Sequence, residues 1–212
     1  MMLLDYATLV DKLFSIIQGY YRTYRANTHP VLLDKVANQF EFDYDPSSEL
    51  IRESLHEHVG QLPIIASFVH SELALHDIDL GRVLIILSIH DIGELTYGDE
   101  NTFTKKAVTR NIELEEALKL THPSLHPYLL ELEAMQTNEA KLAKSIDKMA
   151  PDIVDCLTPR DITYQRFNTQ MGIHPQEIFP LIQKSKSKHM TWHDDVQGFH
   201  KEILSRLKNK LS

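Results

Sequence analysis

The chain has one cysteine, seven glycines and one tryptophan in 212 residues, and no long uninterrupted apolar run. The lone Cys156 has no partner for an internal disulfide, which removes a disulfide framework from the candidate folds. Scarce glycine leaves few positions for the tight turns of hairpin-rich architectures. The strongest apolar stretch, Val83-Leu84-Ile85-Ile86-Leu87-Ser88-Ile89, stops at His90-Asp91 and falls short of the roughly 20 residues that span a bilayer. Met1-Met2-Leu3-Leu4-Asp5 lacks the basic region and apolar core of a secretory signal. These features predict a cytoplasmic protein with no membrane partner. Basic residues are outnumbered, with a formal net charge of -8 and a pI near 5.8. That balance argues against a broad nucleic-acid surface, so any phosphate-bearing ligand must be held locally.

Hydrophobic residues make up 42% of the chain, enough for a substantial core, and the length favours one domain over residues 1-212. Apolar residues recur at intervals of three and four, which predicts an all-α fold. Helices are expected from Leu3 to about Tyr24, from Val31 to about Phe40, and from about Ile51 through Val69. The acidic stretch Glu41 to Pro46 reads as a loop, and Ser47 or Ser48 as the cap of the helix after it. Ile51, Leu55, His58, Leu62, Ile65 and Val69 share one face of that third helix, and Pro63 is expected to kink it. Asp77 to Gly81 forms a connector, followed by a helix to about Leu95 whose apolar centre reads as buried on every side. Tyr97 through Lys106 reads as a loop. Further helices are expected over Val108 to Leu120, Pro127 to Met135, Asn138 to about Leu157, Ile178 to Gln183 and Asp194 to Leu211. The basic run Lys184-Ser185-Lys186-Ser187-Lys188 falls between the last two.

His90 and Asp91 end the apolar helix, where an imidazole and a carboxylate need ion pairing, hydrogen bonding or a metal. With His58 on an earlier helix and Asp147 beside the stripe Leu142, Ile146, Met149 and Ile153 on a later one, the residues offer a tertiary site for one divalent metal. Singly, each is an ordinary core or surface polar residue; jointly they are not.

The joint pattern resembles the HD-domain metal-dependent phosphohydrolases, and within them the HD-domain 5′-deoxynucleotidases. Glu57-His58 fits that branch's E-H element. His90-Asp91-x-x-Glu94 and Gly98-Asp99 fit its H-D-x-x-E-x-x-x-G-D element, and Asp147 fits the final aspartate. The resemblance covers about residues 50-157 and implies a single HD-type helical bundle with additional terminal helices. It implies His58, His90, Asp91 and Asp147 as metal ligands, and Glu94 as the residue that orients the nucleophile or passes a proton. Asp99 matches the residue that accepts a hydrogen bond from the sugar 3′-hydroxyl, Lys105 offsets phosphate charge, and Arg52 approaches phosphate or pairs with Glu53 or Glu57. The ligand set suits manganese or cobalt, with iron, nickel, zinc or magnesium also compatible.

The function implied is phosphate release from a small nucleotide, a (deoxy)nucleoside 5′-monophosphate first, by a protein compatible with homodimer formation. The alternatives are a non-hydrolytic HD-type sensor of metal or nucleotide, and hydrolysis of another phosphate ester such as an alarmone. Leu95 stands where alarmone hydrolases usually carry aspartate. The chain departs from the deoxynucleotidases at Phe42-Asp43-Tyr44, in the region where they carry an arginine, and at Gly60 and Pro63. His56 points away from His58 on a helix and is left out of the metal shell. Tyr97, Phe103 and Trp192 read as packing residues, with stacking on a base as the alternative.

Overall fold

The computed structural model describes residues 5-11, 13-14, 55-94, 107-158, 160-165, 167-168 and 172-212. The expected second helix, the acidic loop, its serine cap and the Tyr97 to Lys106 loop lie outside the described residues. So do most of the first expected helix, Arg52, Asp99, Lys105 and Phe42 to Tyr44.

Eight α-helices and no strand occur among the described residues. In chain order they are α1 (Leu55–Glu72), α2 (Leu80–Ile89), α3 (Ala107–Leu120), α4 (His126–Ala134), α5 (Asn138–Leu157), α6 (Arg160–Gln165), α7 (Pro175–Lys186) and α8 (Asp194–Leu211). An N-terminal helical segment begins at Tyr6. The fold is all-α.

Three helices carry the centre of the molecule: α1, α2 and α5 pack pairwise against one another. The periodic stripe of α5 explains its place, because Leu142, Ile146, Met149 and Ile153 recur every three or four residues and all are fully buried. They meet Leu62, Ile65 and Val69 of α1 and Val83, Ile86 and Leu87 of α2 in one core. Thr137 caps α5, its hydroxyl accepting the amide of Ala140 at 3.2 Å, and Asp79 caps α2 through the amide of Arg82. Pro63, Pro151 and Pro180 lie inside α1, α5 and α7.

α8 joins two clusters. Val196, Phe199 and Ile203 enter the main core, while Leu204, Leu207 and Leu211 pack on Ile178 and Ile182 of α7 with Phe167 and Ile173. The N-terminal segment closes over α8. Tyr6 donates to Asp195 Oδ1 at 2.6 Å, and its ring lies so close to Gly198 that a Cβ there would come within 2.6 Å of it.

Two expectations are corrected. α2 is not buried on every side: Val83, Ile86 and Leu87 are buried, whereas Leu84 and Ile85 are half-buried and Ser88 is exposed. The helices packed on it, α1, α4 and α5, leave that side open. The helix also ends at Ile89, not near Leu95. The chain tightens there into i to i+3 turns, with the Ile92 amide donating to the Ile89 carbonyl at 3.2 Å and the Glu94 amide to the Asp91 carbonyl at 2.9 Å.

Gly93 makes this turn fit beneath α3. A Cβ there would lie 2.1 Å from the carbonyl oxygen and 2.8 Å from the carbonyl carbon of Glu113, both backbone atoms that no rotamer change can move. Gly93→Ala is therefore expected to lower stability by about 2–3 kcal/mol, the upper part of the usual range for overpacking. Urea unfolding checks it; a midpoint equal to the native protein's would show that α3 yields without cost.

Candidate metal centre

His58 comes from the first half of α1, His90 caps α2, Asp91 follows it in the turn, and Asp147 lies midway along α5. The pairwise packing of these helices brings together residues that are far apart in sequence. One ligand atom from each of His58, His90 and Asp147 lies within 4.8 Å of the others. Asp147 Oδ1 is 3.5 Å from His58 Nε2 and 3.7 Å from His90 Nε2. Asp91 is not part of that three-residue group, yet its Oδ2 reaches the same two imidazole nitrogens, at 3.6 Å from His58 and 3.0 Å from His90.

The orientation of His90 tests whether these residues fit a metal. Its Nδ1 lies 2.8 Å from the carbonyl of Leu87, and a carbonyl only accepts, so the ring proton sits on Nδ1. Nε2 then carries a lone pair in the neutral ring. That atom is fully buried and faces the carboxylates of Asp91 and Asp147. A buried imidazole fixed through one nitrogen, with the other aimed at carboxylates and a second histidine, is the arrangement by which proteins present histidine to a metal. The residues fit the group.

Charge is shared unevenly across the site. Burial opposes ionisation of Asp147, but the charges of Lys144 and Lys148, followed by hydrogen bonding to His58 and His90, hold its carboxyl well below the ordinary range. Burial likewise opposes Asp91, and His90 outweighs it and lowers that carboxyl. For His90 burial pulls downward, yet Asp147 and Asp91 raise the ring to about 9. Without metal His90 is thus an imidazolium at neutral pH. This contributes stability to the metal-free fold below the unfolded value near 6.5, lost as pH rises through about 9.

A metal must displace the extra proton from Nε2. Loading near pH 7.5 is expected to release about one proton per ion, and apparent affinity to rise roughly tenfold per pH unit until about pH 9. Calorimetric titration in buffers of different ionisation enthalpy measures the release. A buffer-independent heat would mean that His90 is already neutral or is not a ligand.

A model of the HD domain matches residues 47–183. The chain belongs to the HD domain family. HD domains bind divalent metals and are generally hydrolases, and the cluster found here lies within the matched region. No curated protein and no solved structure matches the chain.

Glu94 is buried in the turn after Asp91, while Arg52, Asp99 and Lys105 lie outside the described residues. Trp192 is a packing residue: its Nε1 donates to Ser145 Oγ at 2.9 Å and its ring rests on the main core. The sequence reading passed over two lysines. Lys144 and Lys148 flank Asp147 on α5 and reach its Oδ2 at 2.8 and 3.3 Å. Their spacing from Asp147, three residues before and one after, was visible in the sequence, but nothing there distinguished them from solvated lysines of an amphipathic helix.

Proposed function

We propose that this HD domain is a metal-dependent phosphohydrolase that releases phosphate from a small phosphorylated substrate, with (deoxy)nucleoside 5′-monophosphates as the first class. The observation that carries the proposal is the convergence of His58, His90 and Asp147 within 4.8 Å, with the buried Nε2 of His90 presented to the cluster. His58, His90 and Asp147 hold the ion, and Asp91 completes the set from the adjoining turn. A divalent ion there supplies Lewis-acid polarisation of a phosphoryl oxygen and lowers the pKa of a coordinated water.

The protein's own groups do the rest. Leu87 fixes the ring of His90 through Nδ1. Lys144 and Lys148 lie against Oδ2 of Asp147, while its Oδ1 faces the two histidines. Glu94, in the turn after Asp91, is the residue to which the resemblance assigns orienting the nucleophile or passing a proton. The resemblance that suggests a nucleotide further assigns Asp99 to the sugar 3′-hydroxyl and Lys105 to phosphate charge; Arg52 either approaches phosphate or pairs with Glu53 or Glu57.

Phosphate release from a panel of ribo- and deoxyribonucleoside monophosphates tests this reading, with metal-stripped protein resupplied with manganese, cobalt or zinc and Asp91→Ala as control. Release that requires both metal and Asp91 is expected. No release from any member by protein with metal demonstrably bound would replace the monophosphatase with another phosphate ester or with a binding module.

A further inference from the structure

Asp147 is surrounded by more positive charge than a metal ligand requires. Its Oδ1 faces the histidines while its Oδ2 takes the ammonium groups of both Lys144, at 2.8 Å, and Lys148, at 3.3 Å. Both lysines are substantially withdrawn from solvent, with side chains 28% and 19% exposed. A third cation, Lys186, bears on Lys148, but Lys186 is itself paired with Asp152 at 2.5 Å. Asp91 and Glu133 are the other acids whose charge reaches Lys144.

Metal binding creates an imbalance in this cluster. Asp91 and Asp147 offset a bound dication, which leaves Glu133 to oppose the charges of Lys144 and Lys148 beside it. Partly buried like charges so close together repel strongly, because little water screens them. A dianion seated on the metal restores the balance.

We propose that Lys144 and Lys148 form the anion-receiving edge of the metal centre and take up the charge of a phosphate dianion bound there. Naming the anion as phosphate rests on the hydrolase reading above. Both lysines stand on α5, one turn before and one residue after Asp147, so the edge lies on the α5 side of the site. His189 stands on the 3-10 turn Ser187–Met190, near enough for the charges of Lys144, Lys148 and Asp147 to act on its ring. The turn is pinned to α5 because Ser145 Oγ donates to the His189 carbonyl at 2.9 Å and itself accepts from Trp192. Burial and the charges of Lys144, Lys188 and Lys148 push the His189 ring down to about 4, so at neutral pH it is uncharged and keeps one N–H donor. His189 lies beyond the residues 47–183 matched to the family.

The competing account is that the lysines only neutralise a buried carboxylate. Inorganic phosphate titrated calorimetrically into the manganese-loaded full chain separates the two, comparing the native protein with Lys144→Met, Lys148→Met, the double variant and Lys148→Arg. Manganese affinity is measured in parallel from the paramagnetic resonance of the free ion. Methionine keeps most of the aliphatic stem, and arginine keeps the charge if methionine fails to fold. The double variant is expected to lose at least about 10-fold in phosphate affinity, since charge-assisted hydrogen bonds are being removed, while manganese affinity holds or rises. Lys148→Arg is expected to retain phosphate binding.

Phosphate affinity within about twofold of native in the double variant, a parallel loss of manganese and phosphate affinity, or no phosphate binding by the native loaded protein would each overturn the proposal. Ester hydrolysis is read separately. Native protein that binds phosphate through the lysines but turns over no ester would overturn the hydrolase reading and leave the lysine edge standing; lysine variants that keep phosphate affinity in an active enzyme would do the reverse.

Discussion

Asp147→Asn is expected to abolish tight divalent-metal binding and, with it, metal-dependent phosphate release. The amide is nearly the same size and can still accept from Lys144, so the packing of α5 is retained while the charge that faces His58 and His90 is lost. Groups that merely support metal ligands are worth about 10–100-fold in affinity, so loss of a ligand carboxylate should exceed about 100-fold. Half-buried Lys144 and Lys148 also lose the anion they share. Some loss of stability is therefore expected beside the loss of metal. Metal content after equilibrium dialysis, set against thermal melting of the metal-free proteins, distinguishes the two effects. A variant that keeps its metal stoichiometrically would remove Asp147 from the centre.

Lys186→Ala should produce a large loss of stability at a site outside the metal centre. Asp152 of α5 is completely buried and is held from two sides, by Lys186 Nζ of α7 at 2.5 Å and by His200 Nε2 of α8 at 3.1 Å. Removing the lysine leaves a buried carboxylate with only the imidazole, and breaking a buried pair in this way costs about 3–5 kcal/mol. For a chain of this size that corresponds to a fall in Tm of about 10 °C. The double variant Asp152→Leu, Lys186→Met removes both charges and is expected to be more stable than Lys186→Ala, because apolar groups of similar volume replace an ion pair with little loss. Urea unfolding of the three proteins tests this. A Lys186→Ala midpoint close to native would mean that water reaches Asp152 and screens it.

The sequence was most legible where amphipathic periodicity and capping act together. Asn138–Leu157 and Asp194–Leu211 form the helices expected of them, and α3 and α4 begin within one residue of expectation. The stripe of α5 and the two histidines that α1 and α2 carry toward it were readable because a metal site among helices needs side chains at predictable faces. Periodicity carries no information on how a helix stops. The end of α2 at Ile89 depends on turns of tighter hydrogen bonding and on the approach of the Glu113 backbone to Gly93, contacts made by chain far away. The short polar helix Arg160–Gln165 gave no apolar pattern. Lys186 read as part of a basic run between helices, yet it ends α7 and is buried against Asp152, since its partner stands 34 residues earlier. Lys144 and Lys148 drew no assignment for a related reason: their spacing could be seen, but their burial follows from how α5 is covered.

The most direct measurement is the anomalous difference map of a crystal of the full chain loaded with manganese or cobalt, recorded near the absorption edge of the metal. One strong peak per chain is expected, bounded by Nε2 of His58, Nε2 of His90 and Oδ1 of Asp147 at about 2.0–2.3 Å, with Asp91 drawn in beside it. A peak elsewhere, or no peak between those three side chains in crystals that contain the metal, would contradict the metal centre and the function built on it.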